Sequence, residues 1–214
     1  MKRLLFATAM LIGIATHADA ALIASFSQNP SATPTVVATD NGSVTNLSVT
    51  NASTSITAGN GAILGTALFS LNASSVDAAT TILTAVIQHY AGTFCFTSLN
   101  GCTGVNYLSG TFSDAAFGGL GGPGLNVNVN NPPDVLVLTS DVINADQLAA
   151  PNTFGLTFAN LSPLLHINGT TIAAFTADFS GTASSSAAAV PEPMSIAVLG
   201  MGMLGLGLVR RRAT

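Results

Sequence analysis

The chain has 214 residues, 48% hydrophobic and 7% charged, against roughly 25% charged residues in ordinary soluble domains. Its five basic residues, Lys2, Arg3, Arg210, Arg211 and Arg212, all lie at the two ends, so the span 21–189 holds seven aspartates, no glutamate and no cation. Binding of nucleic acid is thereby excluded, as is recognition of phosphate or acidic polymers by Arg or Lys, because both need cations. Without internal salt bridges, the fold has to rest on apolar burial and backbone hydrogen bonds.

Taken in chain order, the first element is a secretory signal peptide, MKRLLFATAMLIGIATHADA. Lys2 and Arg3 form a positive n-region, Leu4–Thr16 an apolar h-region, and Ala18-Asp19-Ala20 a small-x-small cleavage signal. Cleavage is expected between Ala20 and Ala21, after passage through the Sec export machinery. The competing reading is an uncleaved membrane anchor. No cysteine follows the h-region, which argues against a lipoprotein.

Residues 21–181 read as one all-β domain, large enough for a single core. The strand candidates are short and separated by Gly, Asn, Pro or Ser clusters. In order they are TVVAT, VTNLSVT, AILGTALFSL, TTILTAVIQHY, VNYLSGTF, LNVNVN, DVLVLTS, NTFGLTFAN and TIAAFTADFSG. Many short strands with frequent turn signals predict a β-sandwich or jelly roll. Helix is scarce. SSVDAAT (74–80) and SDVINADQL (140–148) are candidates for a short helix or capped turn, with Ser140 or Asp141 as the cap of the second.

Motifs for chemistry are few. TDNGS (39–43) offers oxygens to calcium, yet the EF-hand spacing is absent and Asn-Gly turn chemistry accounts for it. GLGGPG (119–124) fits a dinucleotide pattern in letters only, since Pro123 stands where a helix would have to run; it reads as a loop. The body's histidines, His89 and His166, lie in no G-x-S-x-G or H-E-x-x-H pattern. No catalytic, metal or cofactor residue is assigned. Cys95 and Cys102 are expected to form a disulfide in an oxidising compartment, two free thiols being the alternative. Tyr90 and Tyr107 are the two tyrosines, and the chain has no tryptophan. They are the ring platforms on which a neutral-glycan-binding jelly roll would have to rely.

After the body, GTASSSAAA reads as a flexible linker over 182–189. The last stretch, 190–214, has three parts: Val190-Pro191-Glu192-Pro193, an uncharged apolar run over 194–209, and Arg210-Arg211-Arg212. As a helix the run of 16 residues would reach about 24 Å, short of the roughly 30 Å hydrocarbon core. Its four glycines weaken it further. The arginines fit retention on the cytoplasmic side. A plain single-span anchor is the competing reading.

This tripartite tail resembles the PEP-CTERM sorting signal of Gram-negative bacteria, on Val190, Pro191, Glu192, Pro193, the Gly-rich apolar run and Arg210, Arg211 and Arg212. The stretches VNYLSGTFSDA and TSDVINADQL are also similar to bodies of that group. The resemblance implies an exosortase in the inner membrane as processing partner. It also implies only transient residence in that membrane, with delivery of the body to the cell surface or an exopolysaccharide matrix. The expectation is therefore a non-enzymatic surface or biofilm-matrix protein, with a neutral-glycan-binding module second and a hydrolase third.

Overall fold

The computed structural model describes residues 20–31, 33, 35–119, 125–128, 135–148 and 152–186. The strands of the first part are β1 (Ala20–Gln28), β2 (Val36–Asp40), β3 (Thr45–Ala58), β4 (Ile63–Ser75), β5 (Thr80–Ile82), β6 (Ala85–Leu99) and β7 (Thr103–Gly119). Then follow β8 (Leu125–Asn128), β9 (Val135–Thr139), a 3₁₀ turn at Ala145–Leu148 and β10 (Asn152–Ser162). The short hairpin β11 (Ile167–Asn168) and β12 (Thr171–Ile172) leads to β13 (Phe175–Ser186).

The pairings form a closed antiparallel circuit. β1 pairs with residues 54–58 of β3, and β2 with residues 45–49 of the same strand, so the two are pieces of one interrupted strand. β8 and β9 share one edge of β7 in the same way. The positions β1/β2, β3, β4, β6, β7, β8/β9 and β10 follow one another in chain order. β13 then pairs with β10 on one side and with β1 and β2 on the other. This next-neighbour order differs from the Greek-key connectivity expected of a jelly roll.

Opposite walls of the circuit pack face to face, as the sheets of a sandwich do. Phe94 on β6 stacks on Phe154 of β10 at 3.9 Å between ring centroids, and Phe69 on β4 meets Phe179 of β13 at 4.6 Å. Phe26, Phe96, Phe117, Phe158 and Phe175 complete the filling, all buried. The inward side chains are mainly Phe, Leu and Ala, and the outward ones mostly Ser, Thr and Asn. A membrane-spanning barrel has the reverse arrangement, with an apolar outer band. Among the described residues no helix is long and apolar enough to cross a membrane.

Strand alternation holds until a bulge shifts it by one. On β3 the buried positions run Leu47, Val49, then Ala52, Thr54 and Ile56, with the extra residue at Asn51 (φ 49°). On β7 they pass from Phe112 to Ala115 across Asp114 (φ 59°), and on β10 from Phe158 to Leu161 across Asn160 (φ 54°). Asn and Asp tolerate this left-handed backbone better than other residues with a Cβ, and each bulge bends its strand around the core.

Other expectations need correction. Residues 74–80 are the end of β4, a loop and the first residue of β5, not a helix: Ser74 and Ser75 are still paired with β6, and Thr80 pairs with Ile87. TTILTAVIQHY is two strands, split by a turn at Leu83 (φ 59°), and TIAAFTADFSG divides between β12 and β13. Ser140 does cap, but it caps a bend: its Oγ accepts from the N–H groups of Val142 and Ile143 at 3.1 and 3.0 Å. The expected linker over 182–189 begins too early. Thr182–Ser186 continue β13, paired with β1 and β10 on its two edges, since their small side chains still leave a full ladder of backbone hydrogen bonds.

The signal peptide up to Asp19, the rest of the linker, Val190–Pro193, the apolar run 194–209 and Arg210–Arg212 lie outside the described residues. Ala20, the last residue of the expected signal, is the first of β1 and pairs with Ser186; Ala21 pairs with Ser185.

Candidate functional site

The long hairpin of β6 and β7 carries the expected disulfide. Cys95 and Cys102 are bonded, with their Cα atoms 5.8 Å apart. Cys95 points to the outer face of the sheet, where Cys102 and the turn at Gly101 overhang it. The turn is held down from β3, beyond β4, as Gly101 N–H donates to Asn51 Oδ1 at 2.9 Å. The bulge at Asn51 thus shifts the phase of β3 and also anchors the hairpin tip.

Beside this overhang runs a groove of about 710 Å³ on the outer face of β3, β4, β6, β7 and β9. Ser48, Asn72, Thr93 and Thr111 form one rank across its floor, each directly opposite the next in the strand register. Val137 of β9 ends that rank. A second rank holds Ser70, Cys95, Ser109 and Thr139. Among the described residues no Asp, Glu, Lys, Arg or His lines the groove.

The histidines stand elsewhere. His89 Nδ1 lies 2.5 Å from Asp77 Oδ2, while Asp77 Oδ1 accepts from His89 N–H at 2.8 Å. Asp77 therefore orients both the ring and the backbone of one residue, as the carboxylate of a catalytic triad does for its base. His166 Nδ1 is 3.0 Å from the Leu164 carbonyl.

Asp40, the candidate calcium residue, is occupied by the protein. Its carboxylate accepts from Gly42 N–H, Thr171 Oγ1 and Asn168 Nδ2, each at 2.8 Å. These bonds, the Gly42 amide foremost, hold its pKa below the ordinary aspartate value. Among the described residues no three His, Cys, Asp or Glu side chains are grouped as metal ligands.

Tyr90 is not a ring platform. It is 1% exposed, points into the core, and donates its hydroxyl to Gln88 Oε1 at 2.9 Å. Burial pushes its pKa well up. Gln88 Oε1 also accepts from Ile172 N–H, which closes the β11–β12 hairpin over this end of the core. Tyr107 is half-buried and packs against the core. A glycan site built on exposed tyrosines is thus withdrawn. The groove's hydroxyls and amides escaped notice in the sequence because Ser, Thr and Asn fill most outward positions. Only the register brings Asn72, Thr93 and Thr111 into one rank.

Set against known protein families, curated proteins and solved structures, the chain matches none of them.

Proposed function

We propose that the chain is an exported, non-enzymatic cell-surface or extracellular-matrix protein whose C-terminal signal is processed by an exosortase. The observation that carries this reading is the order of the last 25 residues: Pro191-Glu192-Pro193, an uncharged apolar run too short and too rich in glycine for a durable anchor, then three arginines. The N-terminal signal peptide agrees with it. The prolines keep Glu192 out of any continuing helix, the run crosses the inner membrane for a time, and the arginines hold its far side.

The body supports the same reading. Its interior is filled by aromatic rings and its exterior is mostly polar, with seven aspartates and no lysine or arginine over 21–189, which suits a neutral exopolysaccharide or biofilm matrix. β13 ends at Ser186, so four residues separate the folded body from Pro191. The His89–Asp77 pair is the one feature that favours the hydrolase reading, and it stands outside the groove.

Mass spectrometry of the protein recovered from the cell surface tests the proposal. The expected mature chain starts at Ala21 and ends between Pro191 and Pro193. Recovery of Arg210–Arg212 on the surface protein overturns it.

A further inference from the structure

We infer that the groove beside the disulfide overhang is a binding site for a neutral polyhydroxylated chain, a polysaccharide segment without carboxylate, sulfate or amine groups. This inference rests on the reading of the body as a matrix protein and names the class of its partner.

The first support is the state of the polar side chains on the groove floor. Some outward polar side chains satisfy one another across strands. Ser74 donates to Asn46 and Ser55 to Asn29, each at 2.6 Å. Asn72, Thr93 and Thr111 lie side by side on three successive strands, yet their side chains make no hydrogen bond to any described residue. A hydroxyl and a carboxamide each donate and accept. The unpartnered rank therefore offers the same mixed character as a row of sugar hydroxyls.

Charge narrows the ligand. Among the described residues no ionisable group lines the groove, and the span 21–189 has seven aspartates and no cation to offer a polyanion. A polycation would find no carboxylate in the groove. Only an uncharged ligand leaves no charge without a partner there.

Geometry fits an extended polymer. The rank runs across the strands, so its polar groups recur at the inter-strand spacing of about 4.8 Å, close to the advance of one pyranose ring in an extended chain. Val137 and the disulfide add apolar surface for the C–H faces of sugar rings. The overhang is fixed in advance by the Cys95–Cys102 bond and by the Gly101–Asn51 hydrogen bond, which limits the ordering cost of binding.

The test uses the full chain in mild detergent and isothermal titration with three neutral probes, a cello-oligosaccharide, a malto-oligosaccharide and dextran, beside a polyuronate as the charged control. Binding of at least one neutral probe and none of the polyuronate is expected. Thr93→Val with Thr111→Val, and separately Asn72→Ala, should each weaken that binding at least tenfold at an unchanged thermal midpoint. Thr182→Val, an exposed position on β13, should leave it unaltered. Absence of neutral binding, equal binding of the polyuronate, or wild-type affinity in both floor variants overturns the inference. A protein that is trimmed at Pro191–Pro193 yet binds no probe overturns the groove and leaves the sorting proposal standing. A surface protein that keeps its arginines does the opposite.

Discussion

Asn51 does two things at once. Its backbone occupies the left-handed region at φ 49°, and its side-chain oxygen holds the Gly101 amide. Two substitutions separate these roles. Asn51→Gly and Asn51→Ala both lose the bond to Gly101, but only alanine strains the backbone, by about 1–2 kcal/mol. Urea unfolding should place the alanine variant below the glycine variant by that amount; coincident midpoints would discard the conformational argument. Asp40 gives a pH prediction. Its pKa is lower folded than unfolded, so its stabilising contribution is complete above the ordinary aspartate value, about 3.9. That contribution is lost as pH falls through the lower folded value. The gap in thermal midpoint between wild type and Asp40→Asn should therefore be widest near neutrality and shrink on acidification; a gap that grows in acid contradicts the assignment. Alternation along these strands is plain in the sequence. The residues that interrupt it are not, because Asn51, Asp114 and Asn160 look like any other polar residue in a chain full of them. What singles them out is the partner strand, which the sequence does not display.

At the level of elements, most strands are legible because Val, Ile, Phe and Thr alternate with small polar residues. The failures come where tertiary pairing overrides local texture. GTASS looks like a linker by composition, but between β1 and β10 it completes two ladders. Two glycines there and on β7 have a related explanation. Gly181 faces Phe26 and Gly110 faces Phe94 in the register, and in each case the ring lies where a Cβ would be. Gly181→Ala would also place its methyl 2.1 Å from the Gly155 carbonyl oxygen. Overpacking of this kind costs about 1–3 kcal/mol, and calorimetry should find the loss. The cysteine pairing was expected from two cysteines and export alone. What it supports was not, since nothing local says that the hairpin tip would reach β3. Replacing Cys95 and Cys102 together by alanine should lower stability by about 2.5 kcal/mol on the chain-entropy account of an eight-residue loop. In denaturant titrations, unchanged stability would mean that the Gly101–Asn51 bond alone holds the tip.

For the whole molecule, the sequence announces an all-β body with little charge. The order of strands around the core was hidden, because next-neighbour and Greek-key arrangements use the same alternating segments and similar turns. The circuit is closed by its first and last members, β1 and β13. A chain ending at Ala174 would lack β13, leaving the edges of β1, β2 and β10 unpaired and Phe175 and Phe179 missing from the core. Open edges of this length invite pairing between copies, so size-exclusion chromatography should find that fragment aggregated and the full body monomeric. The same seam sets an order in time. Gln28 on β1 donates to Asp178 on β13 across 150 positions of chain. On the export route proposed above, the first strand would cross early and wait for a partner that crosses almost last. Until then one edge of the sheet would stay open, and on that route a periplasmic holding factor, or simple speed of translocation, would govern how much protein survives to be delivered.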